Sequence, residues 1–324
     1  MANIHEIAKL AGVSSATVSR VINNHPYVSE PTRQRVQEVI DRLDYVPNLN
    51  AVSLKKGMTK LIGIISISFN DSLGLFVRGF TTYAQEHGFN IALFITNGEK
   101  ERELEALEML RRKQLDALVC MIRVNEWSVI EHYTKYGPIV TWQRVNIEAI
   151  PSVFMDQYQG YTLALEHLYA RGYRKIVNVY GSMRGLNTKE RIRAYHDFCE
   201  KYDLDAEAFP HFYDLNSIAA GEQIAHWWAE RAPTDRPDAF ACSTDYLAAG
   251  LLTEARRLGV SVPSDFAVVG FDNTEISHLL DLTTIHYPID KQAENAFIMI
   301  RNALEGLDET IHHLEFKLVE RVTT

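Results

Sequence analysis

Cysteine is scarce in this 324-residue chain: Cys120, Cys199 and Cys242 are widely separated and odd in number. That excludes a disulfide framework and offers no clustered metal ligands, and it points to a reducing, cytoplasmic setting. Long apolar runs are missing as well. The stretches Leu61 to Ile67 and Ala267 to Val269 are too short to span a bilayer, and the start, Met1-Ala2-Asn3-Ile4-His5-Glu6, lacks the basic-then-apolar profile of a secretory leader. Secretion and membrane insertion are therefore not expected. Catalytic signatures are absent too: no phosphate-cradling G-x-x-x-x-G-K-[ST] loop, G-x-G-x-x-G fingerprint, H-E-x-x-H pair or G-x-S-x-G elbow occurs. The twelve histidines are scattered, with His312-His313 the only adjacent pair, so neither a metal nor a cofactor is expected. A binding protein is favoured over an enzyme.

A basic excess is also lacking. The net charge is −9, from 33 Lys and Arg against 42 Asp and Glu, which taken whole argues against a nucleic-acid partner. Position reverses that reading. Residues 1 to 60 hold eight basic side chains and five acidic ones, a net +3, so the other 264 residues carry −12. A small basic head on an acidic body is the pattern of one module that meets a polyanion and another that does something else.

The head reads as three short helices. Ile4, Ile7, Ala8 and Ala11 recur with helical spacing, Gly12 breaks the run, and Ser14 is placed to cap a second helix. Val18, Val21 and Ile22 then face inward while Ser15, Ala16, Ser19 and Arg20 face outward. After the loop from Asn23 to Tyr27, Ser29 is placed to cap a third helix, with Val36, Val39, Ile40 and Leu43 inward and Pro47 ending it. Such a helix-turn-helix sets its second helix in the major groove, where residues near its start reach base edges and its amides meet phosphate. Arg20 has the donors for a bidentate contact to guanine. The bare helix-Gly-helix pattern is shared with structural hairpins.

From Leu61 the pattern becomes short β-rich runs alternating with amphipathic helices: Leu61 to Ile65, Asn90 to Ile95, Ala117 to Met121 and Ile139 to Trp142, and, after the helix from Tyr161 to Leu168, Lys175 to Tyr180, Ala239 to Cys242 and Phe266 to Gly270. Such alternation predicts two doubly wound α/β units of parallel strands. Trp227 and Trp228 read as mid-helix packing residues.

Specific strings narrow the reading. Ala11-Gly12-Val13-Ser14, Thr17-Val18-Ser19-Arg20, Asn23, Val28-Ser29, Thr32-Arg33 and Tyr45-Val46-Pro47-Asn48 resemble the head of the lactose/galactose repressor family of bacterial transcription regulators. The amino-terminal string is similar to that of regulators of maltose or maltodextrin use. The resemblance continues through Asn187 to Arg191, Ser243-Thr244-Asp245, Val268 to Asn273, Leu282 to Ile285 and Leu318 to Thr323, so it covers essentially the whole chain.

That resemblance implies a helix-turn-helix domain over residues 1–47, a hinge helix or linker over 48–60, and a periplasmic-binding-protein-like sensor and dimerisation domain over 61–324. The sensor's amino-terminal subdomain would take about 61–158 and 288–317, and its carboxyl-terminal subdomain about 159–287 and 318–324, with crossovers near Gln157 to Tyr161, Tyr287 to Asp290 and Lys317. DNA contacts are implied for Ile4, Ser14, Ser15, Ala16, Thr17, Ser19, Arg20, Asn23, Tyr27, Asn48, Ala51, Leu54 and Lys55. Leu54 stands where the family's leucine wedges into the minor groove and kinks the duplex. Val52 departs from the basic residue usual two positions earlier, and Lys55 or Lys56 would supply the phosphate contact instead.

A cleft for a small effector, a sugar in much of the family, is implied at Ser68, Phe69, Asp71, Trp142, Gln143, Arg191, Asn216, Thr244, Asp245, Phe271, Asp272 and Tyr287. Arg191 and Asp272 suit vicinal hydroxyls, since a guanidinium donates and a carboxylate accepts. Phe69, Trp142 and Phe271, at the carboxyl ends of expected strands, offer apolar walls for a pyranose. Gln143 replaces the acid usual after the fourth strand and alters the hydroxyl pattern the site would read.

The implied protein is a homodimeric repressor of sugar-utilisation genes, bound to a pseudo-palindromic operator and released or retained by its effector; the chain shows no heptad tail for tetramers. A phosphocarrier protein is a further candidate partner. The alternatives are a co-repressed or activating regulator, a transport-type sugar-binding protein, and a sugar-modifying enzyme with a DNA-binding head.

Overall fold

The structure is a computed structural model and describes residues 3–45, 57–183 and 185–324. The chain forms two units, residues 1–59 and 60–324.

In the head, α1 (Ile4–Ala11), α2 (Ser15–Ile22) and α3 (Glu30–Arg42) enclose a small core of Ile7, Ala8, Ala11, Val18, Val21, Val36 and Val39. Its inward set matches the helical spacing. Gly12 ends α1 in the left-handed region at φ 64°, where a side chain would be strained. Ser14 caps α2, its Oγ accepting from the Thr17 amide at 3.1 Å. Two expectations fail. Ser29 makes no side-chain cap to α3, because its hydroxyl bonds Thr32 Oγ1 at 2.9 Å instead, and Pro31 takes up the first turn. The helix also stops at Arg42, ahead of Pro47, with Leu43 as its cap and Asp44 turning the chain at φ 46°. Pro47 lies outside the described residues.

The body carries two sheets. The first, ordered β2-β1-β3-β4, contains β1 (Leu61–Ser66), β2 (Asn90–Ile95), β3 (Ala117–Cys120) and β4 (Ile139–Thr141), all parallel. Helices α4 (Asp71–Glu86), α5 (Lys100–Arg111) and α6 (Trp127–Glu131) connect them. The second is ordered β5-β6-β7-β8-β9: β5 (Ile176–Val179), β6 (Ala239–Cys242), β7 (Ala267–Asp272) and β8 (Thr284–His286) are parallel, and β9 (Lys317–Val319) is antiparallel to β8. Its helices are α7 (Gln157–Ala170), α8 (Leu186–Tyr202), α9 (Ile218–Ala229), α10 (Asp245–Arg257) and α11 (Glu275–Leu279). Strands β1, β3, β4, β5, β6 and β7 are buried on both faces, which is why they read as runs rather than alternations, whereas β2 at the sheet edge is only partly covered.

The described chain passes between the lobes where Val153 gives way to α7, again between His286 and α12 (Ile289–Glu305), and again before β9. Tyr161 of α7 donates to Asn178 Oδ1 of β5 at 2.7 Å, fixing α7 to the second sheet. Phe297 of α12 packs edge-on against Phe80 and Phe89, fixing α12 to the first. Trp228 lies near the carboxyl end of α9, not at its middle, and is a core residue whose Nε1 donates to the Pro237 carbonyl at 3.0 Å; Trp227 is half-buried against Phe212. Helices α9 and α10 touch through glycine: a Cβ on Gly250 would stand 2.0 Å from the Ile218 carbonyl oxygen. All three cysteines are buried, and burial pushes each thiol up, away from reactivity. Among the described residues, no helix is long and apolar enough to cross a membrane, and no group of His, Cys, Asp and Glu is arranged to hold a metal.

Candidate DNA-binding face and effector cleft

On the head, the start of α2 and the start of α3 border a concavity of about 390 Å³ lined by Val13, Ser14, Thr17, Arg20, Tyr27, Val28, Ser29 and Thr32. Two helix amino termini, with their free amides and positive dipole ends, border one hollow, an arrangement suited to phosphate. Arg20 and Ala16 are exposed on α2, and Tyr27 is 86 % exposed. Ser15, Thr17, Ser19 and Ile4 are partly buried, with Ser15 Oγ held against His5 Nδ1 at 3.1 Å. Asn23 is exposed at the end of α2. Its Nδ2 donates to the Ser19 carbonyl at 2.6 Å and so caps α2. Asn48, Ala51, Leu54 and Lys55 lie outside the described residues.

In the body, the candidate cleft residues gather at the carboxyl ends of both sheets, where open α/β sheets bind ligands. Ser68 and Phe69 follow β1 and are exposed, Phe69 by 65 %, leaving a free aromatic face. Asp71 opens α4, whose cap is Asn70. Trp142 follows β4, half-buried with its ring edge-on to Phe76, and Gln143 donates its amide to Thr141 Oγ1 at 3.0 Å. Asn216 is exposed ahead of α9. Thr244 caps α10 through a 3.3 Å bond from the Leu247 amide.

Arg191 is buried at the floor of the second lobe. Its Nε donates to Gln157 Oε1 and its Nη1 to the Ser243 carbonyl, both at 2.8 Å, and its guanidinium lies 4.0 Å from the centre of the Phe271 ring. Phe271 therefore supports the arginine and is not an open wall for a sugar, because its ring is sealed in the core. Asp272 ends β7 at φ 109°, followed by Asn273 at φ 56°, a pair of conformations that side chains rarely adopt and that the surroundings must enforce.

Asp245 supplies that enforcement. Fully enclosed, it accepts from the Thr274 amide at 2.6 Å, from Thr274 Oγ1 at 2.9 Å and from Thr284 Oγ1 at 2.5 Å. It thus braces the Asp272 turn and does not present a free carboxylate to a ligand. Gly270 makes room for it, since a Cβ there would stand 2.4 Å from Asp245 Oδ1. Tyr287 is the last of the cleft candidates. It is buried in a stack with Phe316, with ring centres 5.4 Å apart, and burial pushes its phenol up to about 12. Its hydroxyl faces Gln157 and Gln292, at the two crossovers.

Burial, then the Asp245 charge, hold the Asp272 carboxyl well above the usual range, with Arg191 opposing them. Burial likewise lowers the Arg191 guanidinium, against the pull of Asp272. Three contributors were not singled out by pattern: Gln157, Tyr161 and Tyr246. Gln157 and Tyr246 both lie in the first turns of helices that follow a strand or a crossover, a position that would have marked them as cleft-facing.

Comparison with known proteins agrees with both regions. Residues 3–48 match the model for bacterial regulatory proteins of the lacI family, and residues 165–324 match the periplasmic binding protein-like domain. Over its full length the chain is 34 % identical to all of an uncharacterised HTH-type transcriptional regulator, YkvZ, of Bacillus subtilis. The chain belongs to the LacI family. This family member shares its fold with the Lac repressor dimer bound to operator and an anti-inducer, at a TM-score of 0.82 and 23 % identity over 99 % of this chain and 98 % of that one. A LacI family regulator from Lactobacillus casei with bound sucrose matches at a TM-score of 0.73 and 23 % identity, over 82 % of this chain and 99 % of that one. The LacI-family protein is thus a transcriptional regulator with a DNA-binding head and an effector-binding body, as its relatives are regulators.

Proposed function

We propose that this LacI-family protein is a homodimeric repressor whose operator affinity is set by a small sugar bound between the two lobes of its body. The observation that carries the reading is Arg191: a buried guanidinium, immobilised by Gln157 and Ser243, stands beside the Asp272 carboxylate at the carboxyl edge of the sheet. A fixed donor next to an acceptor suits vicinal hydroxyls, and little side-chain freedom is lost when a ligand arrives.

Gln157 opens α7 at one crossover and the Tyr287 hydroxyl faces it from the next, so a ligand on Arg191 pulls on the segments about which the lobes pivot. Effector binding then shifts the population of lobe arrangements, and the paired heads gain or lose their spacing on a pseudo-palindromic operator. The segment around Leu54 completes the assembly by wedging the minor groove.

A thermal-shift screen of mono- and disaccharides on the purified protein, with hits carried into operator-binding assays, tests this. A saccharide that raises the melting temperature and changes operator affinity supports it. A saccharide that binds without changing operator affinity removes the allosteric role, and turnover of the saccharide by mass spectrometry would make the protein an enzyme instead.

A further inference from the structure

The hydroxyls at the start of α2 are held in two different ways. Ser14 and Thr17 serve each other: their hydroxyl oxygens lie 2.9 Å apart, and Ser14 Oγ also accepts from the Thr17 amide. Ser15 is held from outside its own helix. It is the first residue of α2, and its Oγ stands 3.1 Å from Nδ1 of His5, ten residues earlier on α1. The contact spans the turn at Gly12 and is kept in place by the shared core, where Ile7, Ala8 and Ala11 of α1 join Val18 and Val21 of α2. The His5 side chain is exposed, on the helix that crosses the DNA backbone in a helix-turn-helix.

An unrestrained serine is a poor reader of bases. Its hydroxyl rotates and offers one donor and two lone pairs, so it suits a donor or an acceptor on a base edge equally. A neighbour that fixes the rotor removes that indifference. A neutral imidazole has one donor nitrogen and one acceptor, so the role that Nε2 takes leaves the opposite role to Nδ1. A phosphate oxygen only accepts; a backbone phosphate beside α1 therefore requires the proton on Nε2 and leaves Nδ1 as an acceptor. Ser15 then donates to His5, and its lone pairs face the groove. Outward lone pairs match the exocyclic amines of adenine (N6) and cytosine (N4) and oppose O6 of guanine and O4 of thymine.

We propose that His5 is a positioning residue for sequence readout. It holds the Ser15 hydroxyl as an acceptor toward the major groove, so that each half-site prefers adenine or cytosine over guanine or thymine at the position Ser15 faces. The proposal rests on reading α2 as the helix that enters the groove, and adds which base edge its first residue selects. Ala16, the next residue, offers only a methyl group, and Arg20 stands five residues further on, beyond one full turn. Neither competes with Ser15 for that edge.

Selection from a randomised duplex pool with the full-length protein, followed by competition titrations of single-base variants, tests this. The selected half-site should hold one position at which adenine and cytosine beat guanine and thymine by about three- to tenfold, the worth of one hydrogen bond. Ser15→Ala and His5→Ala should each flatten that position alone, and the two together should do no more than either. His5→Asn should keep the preference, because an asparagine Oδ1 stands where the imidazole Nδ1 does. A His5→Ala variant that weakens all duplexes alike would overturn the proposal, make His5 a phosphate contact only, and leave the reading of α2 standing. A preference for guanine or thymine at the Ser15 position, lost in His5→Ala, would overturn the assigned orientation. If Ser15→Ala changes no position, or no duplex is selected, the reading of α2 itself fails and the proposal falls with it.

Discussion

Arg191 and Gln157 are joined by a 2.8 Å hydrogen bond from Nε to Oε1, thirty-four residues apart in the chain and both buried. The bond ties the floor of the cleft to the first residue of the crossover helix. Lysine has one point of charge and no planar fork, so it cannot hold Gln157 and Ser243 together while facing Asp272. Arg191→Lys should therefore lower saccharide affinity at least tenfold with ligand-free operator affinity nearly unchanged, as read by titration and by fluorescence anisotropy on operator DNA. An equal loss of operator binding would mean that the arginine only supports the fold.

Gly270 and Gly250 should tolerate no side chain. Gly270→Ala drives a methyl group into Asp245 Oδ1 and should cost about 1–3 kcal/mol in urea unfolding, together with loss of the Asp272 turn. Gly250→Ala meets the Ile218 carbonyl and its backbone, which yield less than a side-chain end, so its cost should lie at or beyond the upper end of that range, about 3 kcal/mol.

Asp272 sets a pH dependence with a definite sign. Its carboxyl titrates higher in the folded chain than in the unfolded one, so the folded state holds a proton that the unfolded state has already lost. The stability from that proton is complete below the unfolded carboxylate pKa and is lost as pH rises through the folded value. Asp272→Asn removes the cost of ionising a buried carboxyl. The variant should melt higher than the parent at pH 7, and the difference should vanish as pH falls to about 4, near the ordinary value for aspartate. A variant that instead melts lower than the parent at pH 7 would show that Asp272 is stabilised by Arg191 more than it is penalised by burial.

The head should separate fold from readout. Ser14→Ala removes the α2 cap and should destabilise the protein by about 1 kcal/mol in thermal unfolding. Arg20→Ala, on an exposed side chain, should leave stability unchanged and cost about 1–3 kcal/mol of discrimination between operator and a single-base variant. If Arg20→Ala weakens all duplexes alike, the arginine touches phosphate and reads no base.

Leu54 carries the remaining expectation for DNA. Leu54→Ala should weaken binding to operator far more than binding to random duplex, because only a specific complex repays the kink that an inserted leucine makes. Equal losses in a competition assay would remove the wedge.

The amino-acid sequence alone determined the local facts. Helical spacing from Ile4 to Ala11, the Ser14 cap and the strand-like runs at Leu61 and Phe266 depend on neighbours within a few residues, so they are legible without a fold. The charge step at residue 60 is equally local, and it exposed the basic head beneath a net charge of −9. What tertiary structure decided is which polar groups are free. Asp245 and Asp272 both belong to strings that match the family, yet Thr284, thirty-nine residues from Asp245, and Thr274 occupy the Asp245 carboxylate. Arg78 and Glu275, 197 residues apart, meet only because two lobes close on one another. A hydrogen bond or ion pair needs two partners at about 3 Å, and a sequence places each partner on its own element without saying which elements meet.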